Sequence, residues 1–499
     1  MKKNPRVLIV TPEITYLPAG MGNMADTMSA KAGGLADVSA SLVGSLFEQG
    51  ADVHVALPHY RKMFHVDVSA FIDQKLRRYQ EKMPGDRIHL AEDRAFYYRD
   101  TVYSTYGNEN PRLALIFQRE VINNIIGHVR PDLIHCNDWM TGLVPAAARR
   151  LGIPCLFTVH NIHTHEVTLE RIEEEGIDAA EFWENLYYKR PPWNYEESRA
   201  NNAVDMMASG IFAAHYINCV SPTFLKEVVD GRHAFVPASI HRELAAKYAA
   251  GCAEGVLNAP DDSYDPETDE ALPVRYDETS HVAGKRAAKR LLQERLGLDR
   301  DDDAPLFFWP SRLDPVQKGC ALLSDILYRV VNAYWDKHLQ VVFVANGSHQ
   351  RVFADIVNFH NIANRVAVAP FDESLSRLGY AASDFMLMPS LFEPCGLPQM
   401  IAPLYGSLPI VRNCGGLHDT VIPMTAASNF GNGFLFDDYD AEALLWGIAE
   451  AMRFRDLPPD VQHAQIERVM LESRHRFNHK VCAQTYRDIY ERMLHRPLI

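Results

Sequence analysis

The chain has 499 residues, and 50 Lys and Arg against 64 Asp and Glu give a formal net charge of −14. Hydrophobic residues make up 47% and charged residues 23%, the balance of a soluble globular protein with ample material for buried cores. These totals exclude disordered, fibrous and membrane-embedded classes, and the acidic balance argues against a dedicated nucleic-acid binder. At about 100–200 residues per domain, the length predicts two to four domains.

The N-terminal and cysteine patterns favour a cytoplasmic protein. The first apolar run covers residues 7–10 only, whereas a signal peptide needs roughly 7–15 apolar residues and a membrane span about 18–20. The eight cysteines lie far apart without a CxxC pair. We therefore expect reduced thiols, no disulfide framework, no metal site and no membrane partner.

Short apolar runs alternate with helical patterns along the whole chain. In the first half we predict a helix over residues 35–47 and strands over residues 7–10, 53–57, 113–117, 133–136, 155–159 and 217–220. In the second half we predict helices over residues 320–331, 441–452 and 481–494 and strands over residues 306–309, 341–345, 365–368, 385–388, 408–411 and 433–436. Continuous apolar strands are typical of parallel sheets buried on both faces, so the pattern predicts an α/β fold with two doubly wound, Rossmann-like domains.

An acidic segment separates the two halves. Residues 261–278 contain eight acids and one Arg, a composition that predicts an exposed linker. We place the first domain at residues 1–257 and the second at residues 258–480, and the helix within residues 481–499 could pack back on the first domain. Ligands of doubly wound folds bind beyond the carboxyl ends of the strands, so we expect the site in a cleft between the domains.

One glycine-rich turn in each half precedes a helix. Lys31-Ala-Gly33-Gly34 opens the 35–47 helix, with Asp37 in its first turn, and Gly415-Gly416 follows the strand 408–411. Glycine lets backbone N–H groups approach a ligand, and a helix N-terminus favours an anion. The two turns therefore predict anion sites, while a plain capped helix with dipole compensation by Asp37 is the alternative at the first turn.

An earlier segment fits a dinucleotide-binding fingerprint. Residues 20–25 read Gly-Met-Gly-Asn-Met-Ala. The fingerprint requires its glycines directly after the first strand, which here ends about ten residues too early. We favour a flexible loop and keep a nicotinamide-dependent oxidoreductase as an alternative.

Charged residues follow two strands of the second half. Arg312 and Lys318 come after the strand 306–309, and two cations there suit a diphosphate, although a solvated loop would look the same. The segment Glu393-Pro-Cys395-Gly396-Leu397 follows the strand 385–388. A carboxylate next to N–H groups at a helix start suits the hydroxyls of a sugar, and a capping carboxylate is the alternative.

Polar side chains also end two strands of the first half. Asp138 follows the strand 133–136 and His160 the strand 155–159. His160, His163 and His165 offer three imidazoles, but no Cys or carboxylate partner has a recognisable metal-ligand spacing, so we disfavour a metal. No GxSxG, HExxH or P-loop motif occurs, which argues against a hydrolase and against a phosphoryl-transfer enzyme.

These segments together resemble the glycogen/starch synthase family of sugar-nucleotide glucosyltransferases. The matches are collinear from residue 31 to residue 438 and comprise residues 31–35, 135–139, 159–161, 220–223, 255–258, 389–397 and 408–420. Phe-Glu-Pro-Cys-Gly-Leu, at residues 392–397, is the most specific of them. The resemblance implies a GT-B architecture and retaining transfer of glucose from ADP- or UDP-glucose to the 4-OH at the non-reducing end of an α-1,4-glucan.

The resemblance also implies roles for individual residues. Catalytic roles fall to Glu393, Arg312, Lys318, His160 and Asp37, where Arg312 and Lys318 would hold the diphosphate and Glu393 the glucose hydroxyls. Donor contacts fall to Lys31, Gly33, Gly34, Cys395, Gly396, Leu397, Phe371 and Gly416, with Phe371 on the base unless it is a core aromatic. Sugar or acceptor contacts fall to Asp138 and Asn258.

Several questions stay open at this level. The donor could be ADP-glucose or UDP-glucose, and no metal or further cofactor is expected. The acceptor could instead be a small or lipid-linked molecule, or the protein could be a non-catalytic glucan-binding relative.

Overall fold

The computed structural model describes residues 4–499 except residues 23–24, 26–27, 66–86, 107–108, 426 and 428. The chain divides into two compact units. The first contains Met1–Asn258 together with His479–Ile499, and the second contains Ala259–Asn478. No helix in the described ranges is long and apolar enough to cross a membrane.

The first unit is built on a parallel sheet of seven strands in the order β3-β2-β1-β4-β5-β8-β9. The strands are β1 (Arg6–Val10), β2 (Asp52–Pro58), β3 (Ile88–Ala91), β4 (Leu133–Asn137), β5 (Cys155–Val159), β8 (Tyr216–Cys219) and β9 (Ala253–Gly255), and β6 (Glu166–Val167) pairs separately with β7 (Val204–Asp205). The helices are α1 (Gly34–Glu48), α2 (Arg94–Tyr97), α3 (Glu109–Glu120), α4 (Ile126–Val129), α5 (Val144–Arg150), α6 (Leu169–Glu174), α7 (Tyr195–Asn201), α8 (Met206–Ala213), α9 (Pro222–Val229) and α10 (Ala238–Ala249), and the C-terminal α19 (His479–Leu494) also belongs to this unit.

The second unit contains a parallel sheet of six strands in the order β12-β11-β10-β13-β14-β15. The strands are β10 (Leu306–Trp309), β11 (Gln340–Val344), β12 (Val366–Ala369), β13 (Phe385–Met388), β14 (Leu408–Arg412) and β15 (Phe434–Phe436). The helices are α11 (His281–Leu296), α12 (Cys320–Ala333), α13 (Gln350–His360), α14 (Glu373–Ala382), α15 (Pro398–Leu404), α16 (Gly415–Thr420), α17 (Ala441–Arg455) and α18 (Pro459–Arg476).

The central strand β10 shows why continuous apolar runs form these sheets. Phe307 and Trp309 lie in one buried cluster, while Leu306 and Phe308 lie in another. Successive side chains of a strand point to opposite faces, so a strand covered by helices on both sides must be apolar at every position. The predicted α/β class with two parallel sheets is confirmed.

The C-terminal helix α19 completes the polar interior of the first unit. The hydroxyl of Tyr490 lies 2.8 Å from Nδ1 of His135 on β4, and the hydroxyl of Tyr486 accepts a hydrogen bond from Asn218 on β8 at 2.7 Å. These four side chains are buried, and such groups are costly when they lack a partner. The last helix therefore supplies partners that the sheet needs.

One predicted strand is wrong. Residues 113–117 lie in helix α3, where all five are buried. A short apolar run has the same appearance in a buried helix and in a buried strand, and here the helical continuation to Glu120 decides. The strands β3 and β9 have no counterpart in the sequence-based prediction.

The acidic segment 261–278 is exposed in part, as its composition predicts, but it also contributes buried side chains. Asp269, Leu272 and Tyr276 are buried within the second unit. The hydroxyl of Tyr405 donates to Asp269 at 2.5 Å, and Arg377 forms an ion pair with the same carboxylate at 3.4 Å. Because the buried acid is paired, the charge of the segment does not prevent burial.

Candidate active site

A buried carboxylate organises the glycine-rich turn of the first unit. Glu13, which follows β1, is 2% exposed, and its Oε2 accepts hydrogen bonds from the backbone N–H groups of Ala32 at 2.8 Å and Gly33 at 2.9 Å. Its Oε1 accepts from the hydroxyl of Tyr103 at 2.9 Å. The sequence predicts this turn as an anion site, yet two of its N–H groups already bind the protein's own carboxylate. The N–H groups of Ala32 and Gly33 are therefore held in place rather than directed at a ligand.

Burial and hydrogen bonding have opposite effects on the pKa of the Glu13 carboxyl. Burial is the largest influence and raises the pKa of its carboxyl, while the N–H groups of Ala32 and Gly33 and the hydroxyl of Tyr103 lower it. The pKa of Tyr103 is raised well above its usual range, first by burial and then by the negative charge of Glu13. The pair is thus a carboxyl group and a neutral hydroxyl donor.

Lys31 and Asp37 meet beside the same turn. Nζ of Lys31 lies 2.9 Å from Oδ2 of Asp37, and the other oxygen of Asp37 accepts from the hydroxyl of Thr15 at 2.8 Å. The Lys31 side chain is 43% exposed and that of Asp37 is 10% exposed. The Lys31 ammonium therefore remains accessible to solvent at the start of α1.

A second polar group lies at the ends of β4 and β5. Asp138 accepts hydrogen bonds from the backbone N–H of His160 at 2.7 Å and from the side-chain amide of Asn161 at 2.7 Å. Its backbone has φ 58° and ψ 178°, a region that is strained for any residue other than glycine. Such strain concentrates at functional sites, where the surrounding hydrogen bonds maintain it.

His160 is neutral in this environment. Burial lowers its pKa to about 3, and burial raises the pKa of Asp138 to about 7. Nε2 of His160 lies 2.9 Å from the side-chain oxygen of Asn137. Because that oxygen can only accept, Nε2 carries the proton and Nδ1 is the acceptor nitrogen of the ring.

In the second unit, Lys318 and Glu393 form a close ion pair. Nζ of Lys318 lies 2.5 Å from Oε2 of Glu393, and the two side chains are 11% and 6% exposed. The hydroxyl of Ser390 donates to the same oxygen at 3.2 Å. The structure thus brings together two predicted site residues that lie 75 positions apart in the chain.

The Lys318 loop is fixed from both sides. Oδ1 of Asp314 accepts from the N–H groups of Val316 at 2.9 Å and Gln317 at 2.7 Å, and the carbonyl of Gln317 accepts from the N–H of Leu391 at 2.8 Å. Arg312, earlier in the loop, is exposed to solvent. The loop therefore presents one largely enclosed cation, Lys318, and one exposed cation, Arg312, after β10.

Gly416 packs directly on the segment that carries Glu393. Its N–H donates to the backbone carbonyl of Glu393 at 2.9 Å, and a Cβ at this position would lie 2.1 Å from the carbonyl oxygen of Cys395. Gly396 has φ +75°, and Leu397 caps α15 from its N-terminal side. Cys395 is buried, so this segment contributes backbone groups rather than a reactive thiol.

The remaining predicted residues have mixed outcomes. Phe371 is 54% exposed, so it is not the core aromatic of the alternative interpretation. Asn258 is buried, and its side-chain oxygen has no hydrogen-bond partner in the described part of the chain. Of the dinucleotide-like segment 20–25, residues 23–24 lie outside the described residues.

The histidines of the first unit do not form a metal site with neighbouring carboxylates or thiols in the described part of the chain. Within the described ranges, no three His, Cys, Asp or Glu side chains are placed to hold a metal ion together. His165 instead packs against Trp139, with ring centroids 4.4 Å apart.

Three residues of the site were missed by the sequence prediction. Glu13, Tyr103 and Asn137 each hold a predicted site element in place through the hydrogen bonds given above. The sequence does contain a signal for Glu13 and Asn137 as site residues, because each is a polar residue at or just beyond the carboxyl end of a central strand. Tyr103 lies in a loop 90 residues away from Glu13, and nothing local in the sequence marks it.

Two parallel-sheet units with cations and carboxylates beyond their strand ends fit the class of GT-B glycosyltransferases, and two family models show this class. The model of the starch synthase catalytic domain matches residues 6–237, and that of glycosyl transferases group 1 matches residues 293–468.

Similar proteins agree with this class. The glycogen synthase of Exiguobacterium sibiricum is 33% identical over 89% of this chain and 92% of its own length, and that of Moorella thermoacetica is 31% identical over 99% and 98%. The catalytic domain of starch synthase IV from Arabidopsis thaliana, solved with ADP and acarbose, is 26% identical with a TM-score of 0.78, covering 99% of this chain and 100% of that one. The chain belongs to the glycogen and starch synthase family, and the predicted family, fold class and enzyme class are confirmed.

Proposed function

We propose that this protein transfers glucose from ADP-glucose or UDP-glucose to the 4-OH at the non-reducing end of an α-1,4-glucan, with retention of configuration. The observation that carries the site assignment is the Lys318–Glu393 pair after β10 and β13, at 2.5 Å. A cation and a carboxylate that follow two neighbouring strands of a parallel sheet support this assignment, because ligands of such sheets bind beyond the carboxyl ends of the strands.

The charges suit the departure of a diphosphate. When the bond between the glucose C1 and the diphosphate oxygen breaks, negative charge develops on the leaving group, and Arg312 and Lys318 would stabilise it. Ion pairing with Glu393 holds the Lys318 ammonium in a defined place before the donor binds. Preorganised charges of this kind do not need to be reoriented during the reaction.

The sugar itself requires hydrogen-bonding partners for its hydroxyl groups. Glu393 retains Oε1 for a glucose hydroxyl, and the neutral His160 can accept from a hydroxyl at Nδ1. The acceptor 4-OH would form the new bond to C1, and its proton would pass to the leaving phosphate oxygen. We propose that no metal ion or cofactor takes part, because the two cations of this chain supply the charge that a metal would otherwise provide.

The test is transfer of radiolabelled glucose from each donor to glycogen. We expect label in glycogen, released as maltose by β-amylase, which digests α-1,4 chains from their non-reducing ends, and we expect EDTA to leave the rate unchanged. Parallel reactions with glucose, maltose and a lipid-linked sugar define the acceptor. Label in a small acceptor alone, or glucan binding without turnover of either donor, would refute the proposed function.

Site variants connect the activity to the geometry. Glu393→Ala and Arg312→Ala should each lower kcat by about 10²–10³-fold, the usual effect of removing one preorganised group. Arg329→Ala is the matched control, because this exposed arginine on α12 pairs only with the exposed Glu442 among described partners. Normal rates in both site variants would refute the residue assignment.

We also propose a cytoplasmic location. None of the eight cysteines forms a disulfide bond, and the thiol of Cys155 donates a hydrogen bond to Sγ of Cys136 at 3.8 Å. Free thiols are typical of reducing compartments. Cell fractionation with an antibody against the protein tests this.

A further inference from the structure

Three consecutive residues after β1 hold the Lys31–Gly34 turn. Glu13 accepts from two of its backbone N–H groups, Ile14 pairs with Ala30 through two backbone hydrogen bonds of 3.1 and 2.7 Å, and Thr15 donates to Asp37. Ile14 and Thr15 bind the residues on either side of the turn, whereas Glu13 binds the turn itself. Among the described residues, Glu13 is therefore the side chain that binds the backbone N–H groups of the turn, while Asp37 pairs with the Lys31 ammonium.

Glu13 is in turn oriented from another part of the chain. Tyr103 holds Oε1, which directs Oε2 toward the N–H groups of Ala32 and Gly33. Glu13 is almost fully buried, whereas Ala32 and Gly33 are exposed. If the carboxylate were removed, water could replace it at these N–H groups, so the turn would lose its orientation more than the unit would lose its stability.

We propose that Glu13 is a positioning residue for glucosyl transfer: oriented by Tyr103, its carboxylate holds the Lys31–Gly34 turn in the conformation that receives the nucleotide sugar. The inference rests on the function proposed above. Glu13 lies beneath the turn and acts through Lys31, Gly33 and Gly34, without touching the donor itself.

The choice of substitutions follows from the hydrogen bonds. Glutamine can still accept from the turn with its oxygen and donate to the Tyr103 oxygen with its amide, so Glu13→Gln keeps the contacts without the charge. Glu13→Ala removes them all. Tyr103→Phe leaves Glu13 in place but without its orienting donor.

The kinetic test separates positioning from general damage. Glu13→Ala should lower kcat/KM for the nucleotide sugar by about 10²-fold, the effect of a small misplacement of binding groups, with KM for glycogen unchanged. Glu13→Gln, which keeps the hydrogen bonds but not the negative charge, should restore only part of the loss. The matched control is Tyr405→Phe in the second unit, which removes a buried tyrosine donor from Asp269 and should leave both constants unchanged at 25 °C. An unchanged kcat/KM in Glu13→Ala, or an equal loss in the control, would overturn the proposal.

The pH dependence of kcat/KM for the donor provides a further test. A purely structural role of Glu13 would leave its acid limb unchanged. The groups that act on or face Glu13 are Tyr103, whose hydrogen bond lowers its pKa, Asp37, whose charge raises it, and Tyr60 and Asp138, which interact with it electrostatically. In Tyr103→Phe the acid limb of kcat/KM for the donor should therefore move to higher pH, and in Glu13→Gln it should disappear. An acid limb at the same pH in all three proteins would contradict the role of Glu13.

Amide hydrogen exchange tests whether Glu13 orders the turn, and it needs no activity assay. In hydrogen–deuterium exchange, the peptide covering residues 30–35 should exchange at least about tenfold faster in Glu13→Ala than in wild type, because two N–H groups lose their acceptor. Equal exchange would overturn the proposal. If wild type transfers no glucose from either donor, the proposed function fails while this measurement still decides whether Glu13 orders the turn.

Discussion

The two glycine-rich turns have similar sequences but different physical reasons for their glycines. At Gly416 the fold itself requires glycine, because an added Cβ would lie 2.1 Å from the carbonyl oxygen of Cys395. At Gly33 no atom of the described residues lies within 4 Å of an added Cβ, and φ −157° with ψ −164° is extended backbone open to any residue. Packing explains the glycine at 416, whereas the open space at 33 is what close approach of a ligand would need.

The largest expected effect is a loss of stability when the second turn is disrupted. Gly416→Ala should destabilise the second unit by about 3 kcal/mol or more, because the clash is with backbone rather than with a flexible side chain. Thermal unfolding measures it, and Gly127→Ala controls for loss of a glycine as such, because Gly127 is exposed and no atom of the described residues lies within 4 Å of an added Cβ there. A melting temperature equal to that of wild type would show that the Cys395 segment can move aside.

The same glycine-to-alanine substitution at the first turn, Gly33→Ala, should leave the fold stable. Gly33→Ala should change the free energy of unfolding by less than about 1 kcal/mol, since alanine fits the backbone without strain. KM for the nucleotide sugar should rise about tenfold, because a lost close contact of about 1.4 kcal/mol has that effect. Unaltered donor kinetics would place the ligand away from Gly33.

Acid should weaken the interior of the first unit through its neutral histidines. Burial lowers the pKa of both His135 and His160 to about 3, so the unfolded chain binds more protons than the folded chain between about pH 3 and 6.5. Stability therefore falls as the pH falls through this window, by up to about 1.4 kcal/mol per pH unit for each histidine. Asp138, with its pKa raised to about 7, acts in the opposite direction.

The contribution of one histidine can be isolated by difference. In denaturant titrations at several pH values, His135→Gln should be less stable than wild type at neutral pH, where it loses buried hydrogen bonds. The difference should shrink toward pH 3. A difference independent of pH would mean that His135 does not titrate with folding.

The smallest expected effect on stability is at Lys31. Its ion pair with Asp37 is partly exposed and should contribute less than about 1 kcal/mol. Lys31→Met should leave the melting temperature nearly unchanged but weaken donor binding, and added salt should reduce this weakening. A large loss of stability would instead show that the first turn, like the second, serves the fold.

Apolar pattern was enough to predict all six strands of the second sheet and five of the seven strands of the first. The candidate site residues came from polar residues at strand ends and from short motifs, and their roles stay predictions. Prediction failed where two structures share one local pattern, as for the buried run 113–117 in α3. It also failed where long-range partners change the meaning of a charge, as for Asp269 with Tyr405 and Arg377.

The sequence by itself determined the α/β class, the family and the loops that follow the central strands, because periodicity and short motifs are local properties of the chain. Only the tertiary structure decided which groups are already engaged. It pairs Lys318 with Glu393 across 75 positions and Glu13 with Tyr103 across 90. Hydrogen bonds and ion pairs act over about 3 Å in space whatever the separation along the chain, so a turn that resembles an open anion site can be one whose N–H groups are held by a carboxylate of the same chain.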